Sequence, residues 1–196
     1  MGACSGDPEP PSDPDPDLPV SPKANVRAKN GRQLQREFAR TLELPAGQIC
    51  RELGQYNCFD IHAVVLGNTD AFGSGLYEAL PSSTNTSPIA VERIALAGCS
   101  QRVALDGDAP GSAVIYQDVE VDGQGALVDV ESPAVVASLD RLYQRALSRR
   151  ARESEIAHLQ QLYRDIEAAG VSGAPAGDWA TLACFAVLTS MESLFY

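Results

Sequence analysis

The sequence predicts a mainly α-helical, bundle-like single domain with one small β-hairpin insertion, preceded by a disordered tether rich in proline and aspartate. Apolar residues recur at helical spacing in several segments, most clearly over residues 132–196. Alternating apolar residues between 113 and 130 flank the turn sequence Asp122-Gly123-Gln124-Gly125, a pattern typical of a β-hairpin. Residues 5–22 contain seven of the 13 prolines, interleaved with acids, and such a composition cannot bury a core.

The chain therefore divides into a tether and a folded part. Residues 1–23 are the start and tether, and residues 24–196 are one mainly helical domain with 44% apolar residues in the whole chain, enough for a core. Within the domain we expect N-terminal helices over 24–105, the hairpin over 106–131 and a C-terminal helical module over 132–196.

The N-terminal helices are read from periodicity and punctuation. Residues 24–44 predict an amphipathic helix with Leu34, Phe38 and Leu42 on one face, and its arginines mostly off that face. These arginines suit an ordinary solvated face, and a membrane-surface role is the alternative. After Pro45 we expect a short helix over 46–53, then a segment over 58–66 that is either helix or strand. A long helix follows, begun by Ser87-Pro88.

The C-terminal module consists of three helices. Ser132-Pro133 is a good N-cap and first-turn pair, and Gly170 is placed to end the second helix. Asp178 is expected to cap a third helix over 179–196. This helix is apolar on most sides, but Thr, Ser and Glu residues interrupt it, so it is predicted to be a buried core helix rather than a membrane span.

About 60 residues at the end of the chain resemble the helical end-module of large secreted, planctomycete-type, cytochrome-associated proteins of unknown function. The matching residues are Tyr143, Arg145, Ala146, Leu147, Arg149, Glu155, Leu159, Leu162, Tyr163, Leu188, Thr189, Ser190, Glu192, Leu194 and Phe195. The sequence departs from that pattern at Met191, where the pattern has Pro, and at Ser193, where it has Phe. The resemblance implies an exported helical module and supplies no catalytic residue.

The N-terminus resembles the lipobox of bacterial lipoproteins. In a lipobox, an aliphatic or Met residue and two small residues come before the cysteine that is acylated. Here Met1, Gly2 and Ala3 come before Cys4 in the same order. We therefore expect lipidation at Cys4, attachment to a membrane through that lipid, and a place in the bacterial cell envelope. Ser5 favours the outer membrane, with the protein facing the periplasm or the surface. N-myristoylation at Gly2 is the alternative, but that motif requires Ser or Thr where Gly6 stands.

The other four cysteines are an even number, which in an exported protein predicts two disulfides with three possible connectivities. We favour Cys50–Cys58 and Cys99–Cys184. Buried free thiols would be expected instead in a cytosolic protein.

The net charge of −11 argues against nucleic-acid binding, since phosphates require a concentrated basic face. A calcium site is only weakly indicated, because Asp129 stands where a calcium loop has a bidentate glutamate. The candidate ligands are Asp118, Glu120, Asp122 and Asp129. No cofactor is predicted, since the Cys-x-x-Cys-His sequence of covalent haem attachment is missing.

The sequence predicts no catalytic residues, because it contains no nucleophile elbow in its proper context, no phosphate loop and no dinucleotide fingerprint. We expect a non-catalytic accessory or interaction module with an envelope protein as its partner. One alternative is a hydrolase or metal-dependent enzyme that uses His62 with Asp60 or Asp70. Another is an electron-transfer accessory protein.

Overall fold

The computed structural model describes residues 27–69, 75, 77–78 and 87–196. The described chain is mainly helical, as the sequence predicts. Its elements in order are α1 (Gly31–Leu42), a 3₁₀ turn (Ala46–Gln48), β1 (Arg51–Glu52), β2 (Tyr56–Asn57), α2 (Cys58–Ile61), α3 (Ser87–Asp108), a 3₁₀ turn (Pro110–Ser112), α4 (Pro133–Leu147), α5 (Glu153–Ala169), α6 (Pro175–Leu188) and α7 (Met191–Leu194).

Helix α6 lies at the centre of the core. It packs most extensively against α3 and also contacts α5 and α4. Trp179 is fully buried in its first half, and its indole N–H donates to the backbone oxygen of Leu159, 2.7 Å away. The buried polar group of the tryptophan is therefore paired, as burial of an indole requires. Within the described ranges, no helix is both long and apolar enough to cross a bilayer.

Both predicted disulfides are confirmed. Cys99 on α3 is bonded to Cys184 on α6, so the two most closely packed helices are also joined covalently. Cys50 is bonded to Cys58 across a separation of eight residues.

Helix α1 begins later than predicted. Asn30 is its N-cap: the side chain accepts a hydrogen bond from the Gln33 amide, and the Gln33 side chain accepts one from the Asn30 amide. This reciprocal capping box fixes the start at Gly31. Residues 24–26 lie outside the described range. The residues just before the cap pair with the end of the chain, through an antiparallel bridge between Ala28 and Phe195.

The prediction of a helix over residues 46–53 is wrong beyond its first turn. After the 3₁₀ turn, the chain forms the antiparallel pair β1–β2, in which Arg51 lies opposite Asn57 and Glu52 opposite Tyr56. The disulfide explains this, because joining two residues only eight apart forces the chain to reverse direction.

The small β-hairpin of the fold therefore lies at residues 51–57, and the prediction of a hairpin over 106–131 is corrected. Residues 121 and 127 form one isolated antiparallel bridge around the predicted turn. Before it, the amides of Val114, Ile115 and Tyr116 donate to the buried carboxylate of Asp106. Those donors cannot also pair with a strand, so no ladder extends from the bridge.

Asp106 also lies 2.9 Å from the Nε of buried Arg102, which donates to the Leu42 carbonyl through Nη1. The Arg102 Nε is not aligned for a hydrogen bond. Charge pairing and the three backbone amides together stabilise this buried carboxylate.

Two of the predicted helix boundaries in the C-terminal module are confirmed, and the predicted last helix is wrong. Ser132 caps α4 through a hydrogen bond from the Val135 amide, and Gly170 ends α5 in the left-handed region. The predicted helix over 179–196 is instead two helices, α6 and α7, and Asp178 lies in the first turn of α6 rather than at its cap. The break follows from Ser190, whose side chain accepts from the Ser193 amide and starts α7.

Candidate functional site

The hairpin closed by the Cys50–Cys58 disulfide, here called the 50–58 hairpin, is the most distinctive exposed feature of the described chain. Leu53 at its tip is 90% exposed, and Tyr56 on β2 is 56% exposed. Leu53 buries almost no surface in the domain itself, and Tyr56 buries less than half of its surface. Their exposure therefore adds nothing to the stability of the isolated chain.

The backbone at the tip is strained. Leu53 has φ of 53° and Gly54 has φ of 71°, so two successive residues occupy the left-handed region. Glycine adopts this conformation readily, whereas leucine pays roughly 1–2 kcal/mol for it. Such strain persists only where the surroundings fix the backbone. Here the disulfide and the β1–β2 pairing fix it.

A hydrogen bond and an ion pair attach Glu52 of the hairpin to the rest of the domain. Oε1 of Glu52 lies 2.9 Å from Nε2 of His62 and 3.0 Å from an Nη of Arg93 on α3. The hairpin is thus held by a covalent bond across its base and by a side-chain link to α3. It presents Leu53 from a rigid support.

His62, the histidine considered for catalysis, lies beside this hairpin. Its Nε2 faces Glu52, which sequence reasoning missed because the predicted helix over 46–53 gave no reason for the two to meet. Asp60, one of the acids considered for catalysis, is exposed on α2. Asp70 lies outside the described residues.

The four calcium candidates are not brought together as one ligand set. Asp118, Glu120 and Asp129 line an open groove of about 380 Å³ beside the start of α4. The Asp122 carboxylate is engaged in its own turn, where it accepts from the Gln124 and Ala126 amides. In the part of the chain that the structure describes, no three His, Cys, Asp or Glu side chains are positioned to hold a metal ion.

Several residues of the C-terminal pattern meet in an ion cluster between α4, α5 and α7. The Arg149 guanidinium makes paired hydrogen bonds of 2.7 and 2.8 Å to Glu155, and two of 2.7 Å to Glu192. It also lies over the Tyr143 ring, 5.1 Å from its centroid. The hydrogen bonds from Arg149 lower the pKa of Glu155 to about 2 and also lower the pKa of Glu192.

This cluster is structural in character. The Arg149 guanidinium donates to two carboxylates and to the neighbouring Arg150 carbonyl. It therefore links the α4–α5 corner to the C-terminal segment. Four residues of the resemblance, Tyr143, Arg149, Glu155 and Glu192, are thus explained by packing and charge pairing.

Comparison of the chain with known proteins supplies no relative. No protein-family model, no curated protein and no solved structure matches it. The resemblance to cytochrome-associated secreted proteins therefore stays a prediction.

Proposed function

We propose that this chain is a non-catalytic, lipid-anchored protein of the bacterial cell envelope that acts as an accessory or interaction module. The observation that carries the proposal is the pair of disulfides, Cys50–Cys58 and Cys99–Cys184. Structural disulfides persist in oxidising compartments such as the periplasm and the cell surface, and they are rare in the cytosol.

The N-terminal sequence supports the anchor. The two disulfides use four of the five cysteines, and the fifth, Cys4, follows the lipobox-like Met1-Gly2-Ala3. Acylation of Cys4 would place the folded part at a membrane, and Ser5 favours the outer membrane.

The 50–58 hairpin supports the interaction role. Leu53 and Tyr56 are exposed, and the disulfide holds them in place before any partner arrives. A preorganised apolar tip loses little conformational freedom on binding, so more of its burial appears as affinity. The partner that this tip suits is an envelope protein with an apolar pocket.

The hydrolase alternative gains no specific observation. A general base needs its ring nitrogen directed at substrate or water. The Nε2 of His62 is directed at Glu52, which Arg93 also contacts, so Nδ1 is the ring nitrogen left for such a role.

Anchoring is tested by intact mass of the protein from its native host. We expect a chain that begins at Cys4 with a diacyl- or triacylglyceryl increment, and globomycin should block its processing. The Cys4→Ala variant should leave the membrane fraction. An unmodified Cys4 in membrane-associated protein would overturn the anchor.

The interaction role is tested by crosslinking in intact cells with Leu53→Asn and Tyr56→Ser variants. Asparagine tolerates the left-handed backbone, so Leu53→Asn removes the apolar tip without added strain. The matched control is Val171→Asn, which changes a side chain that is 88% exposed elsewhere on the surface. We expect the hairpin variants to lose a specific crosslinked species that the control keeps. Equal crosslinking in all three variants would refute this role for the hairpin.

A further inference from the structure

The charge of this chain is unevenly distributed, and its basic part lies beside the tether. Residues 27–42 contain five basic side chains and one acid, whereas residues 43–196 contain nine basic and twenty acidic side chains. Residues 1–26 add one lysine and five acids. The segment around α1 is therefore a positive pole on a molecule whose net charge is −11.

Three arginines of α1 form one exposed stripe. Arg32, Arg36 and Arg40 follow one another at intervals of four residues, so they lie on successive turns about 6 Å apart. All three are exposed. The opposite face of α1 is buried through Leu34, Phe38 and Leu42.

The charges of the stripe are left uncompensated by the part of the chain that the structure describes. The one acid within the helix, Glu37, pairs with Lys29 at 2.6 Å, and Glu43 just after it pairs with Arg145 at 2.7 Å. Among the described residues, none of the three stripe arginines forms a salt bridge.

We propose that the Arg32–Arg36–Arg40 stripe binds the anionic lipid headgroups of the membrane to which the chain is anchored, an inference that rests on the proposed lipid anchor at Cys4. Charge complementarity favours this surface, because guanidinium groups pair with phosphates through two parallel hydrogen bonds. Helix α1 is also the first described helix after the anchor. The 22 residues between Cys4 and Arg27 span at most about 80 Å even when fully extended, so the anchor keeps α1 near the bilayer.

The consequence is a preferred orientation. An anionic membrane attracts the basic pole and repels the acidic remainder of the domain, so both effects turn α1 toward the lipid. Each arginine at such a surface contributes about a five-fold preference, and the effect falls off within the screening length of the salt.

The test couples the Cys4 thiol of the oxidised full chain to a maleimide lipid in vesicles. This supplies the anchor chemically, so its result is independent of whether the native protein is acylated. The vesicles are either phosphatidylcholine alone or phosphatidylcholine with phosphatidylglycerol at roughly 3:1, which provides an anionic surface. Phenylglyoxal then modifies accessible arginines, and mass spectrometry gives the rate at each residue.

On the anionic vesicles we expect modification of the stripe arginines to slow by at least about five-fold relative to neutral vesicles, and high salt to abolish the difference. The internal control is Arg150 and Arg152, two exposed arginines at the α4–α5 corner, whose rates should not change. Arg36→Glu should remove the protection of Arg32 and Arg40, whereas Arg150→Glu should leave it intact.

Equal rates on the two kinds of vesicle would overturn the proposal. So would equal protection of the corner arginines, since that would show attraction without a specific face. A third result also overturns it: slow modification of the stripe in the free chain, relieved when the five acids between residues 7 and 17 are neutralised. That result would mean that the acidic N-terminal segment, and not lipid, occupies the stripe.

Discussion

The two disulfides should differ in how much they stabilise the fold, and the difference can be worked from the loops they close. A disulfide restricts the unfolded chain more when it closes a longer loop. Cys99 and Cys184 are 85 residues apart, whereas Cys50 and Cys58 are eight apart. The chain-entropy relation gives about 4.6 kcal/mol for the long loop and about 2.5 kcal/mol for the short one.

The perturbation is a pair of double variants, Cys99→Ala/Cys184→Ala and Cys50→Ala/Cys58→Ala. Each removes two buried sulfurs, so the packing loss is similar and each variant is the control for the other. Urea unfolding, followed by circular dichroism, should show that the first variant loses about 2 kcal/mol more than the second.

An equal loss in the two variants, or a greater loss in the Cys50/Cys58 variant, would refute the loop-length argument. The slope of the unfolding free energy against urea must be fitted in each case. A changed slope would show that the denatured state itself had altered, and the comparison would then be made at the level of calorimetric unfolding.

Three further predictions concern packing and charge. Gly98→Ala should lower the free energy of unfolding in urea by about 1–3 kcal/mol, because its new Cβ would lie 2.8 and 2.9 Å from two buried side-chain carbons. Gly107→Ala on the same helix is the control; its Cβ meets open space, so the variant should be neutral or slightly stabilising. Asp106→Asn should cost about 3–5 kcal/mol, because it leaves a buried arginine without its counter-charge; a loss below 1 kcal/mol in thermal unfolding would contradict that role. Hydrogen bonds from the Arg149 side chain, with a smaller contribution from the Arg152 amide, lower the pKa of Glu155 from its usual 4.5 to about 2, so this stabilisation is present above pH 4.5 and is lost as the pH falls toward 2. Because solvent screens this pair, Arg149→Met should remove only about 1 kcal/mol of the stability that is lost on acidification, and an acid-unfolding profile equal to that of the unchanged chain would count against it.

Local signals in the sequence located several elements well. Ser132-Pro133 and Gly170 predict the start of α4 and the end of α5 because a cap is satisfied by neighbouring residues, which periodicity and residue type reveal. The prediction of the cysteine pairing is also confirmed. Only three connectivities exist, and one of them combines a bridge between two cysteines close in sequence with a bridge between two core helices.

The hairpin shows where local reading fails. Alternation between 113 and 121 fits a strand, but Asp106 takes three of the amides that a strand would use, and nothing in the sequence marks Asp106 as their partner. The predicted disulfide and the predicted helix over 46–53 are themselves in conflict, since an eight-residue covalent loop must reverse the chain. A disulfide of this span predicts a turn rather than a helix there.

The candidate site could be predicted from the sequence only in part, because its contacts also depend on how the chain folds. His62 stands out by residue type, but its contact with Glu52 depends on the fold of the hairpin, and Arg93 reaches the same carboxylate from α3. The strain at Leu53 is likewise a property of the folded backbone, which residue type alone does not predict.

The pairing of Arg27–Lys29 with the last residues of the chain has a mechanical consequence. Backbone hydrogen bonds join Lys29 to Leu194 and Tyr196 to Arg27, and the Lys29 ammonium donates to the Ser193 carbonyl. A force applied through residues 1–26 therefore acts on the C-terminal segment and on α1 at the same time. From there the load passes through the Arg149 ion cluster and, by way of α6, into the covalent link to α3. A domain built in this way shares tension between its first and last elements rather than unfolding from one end.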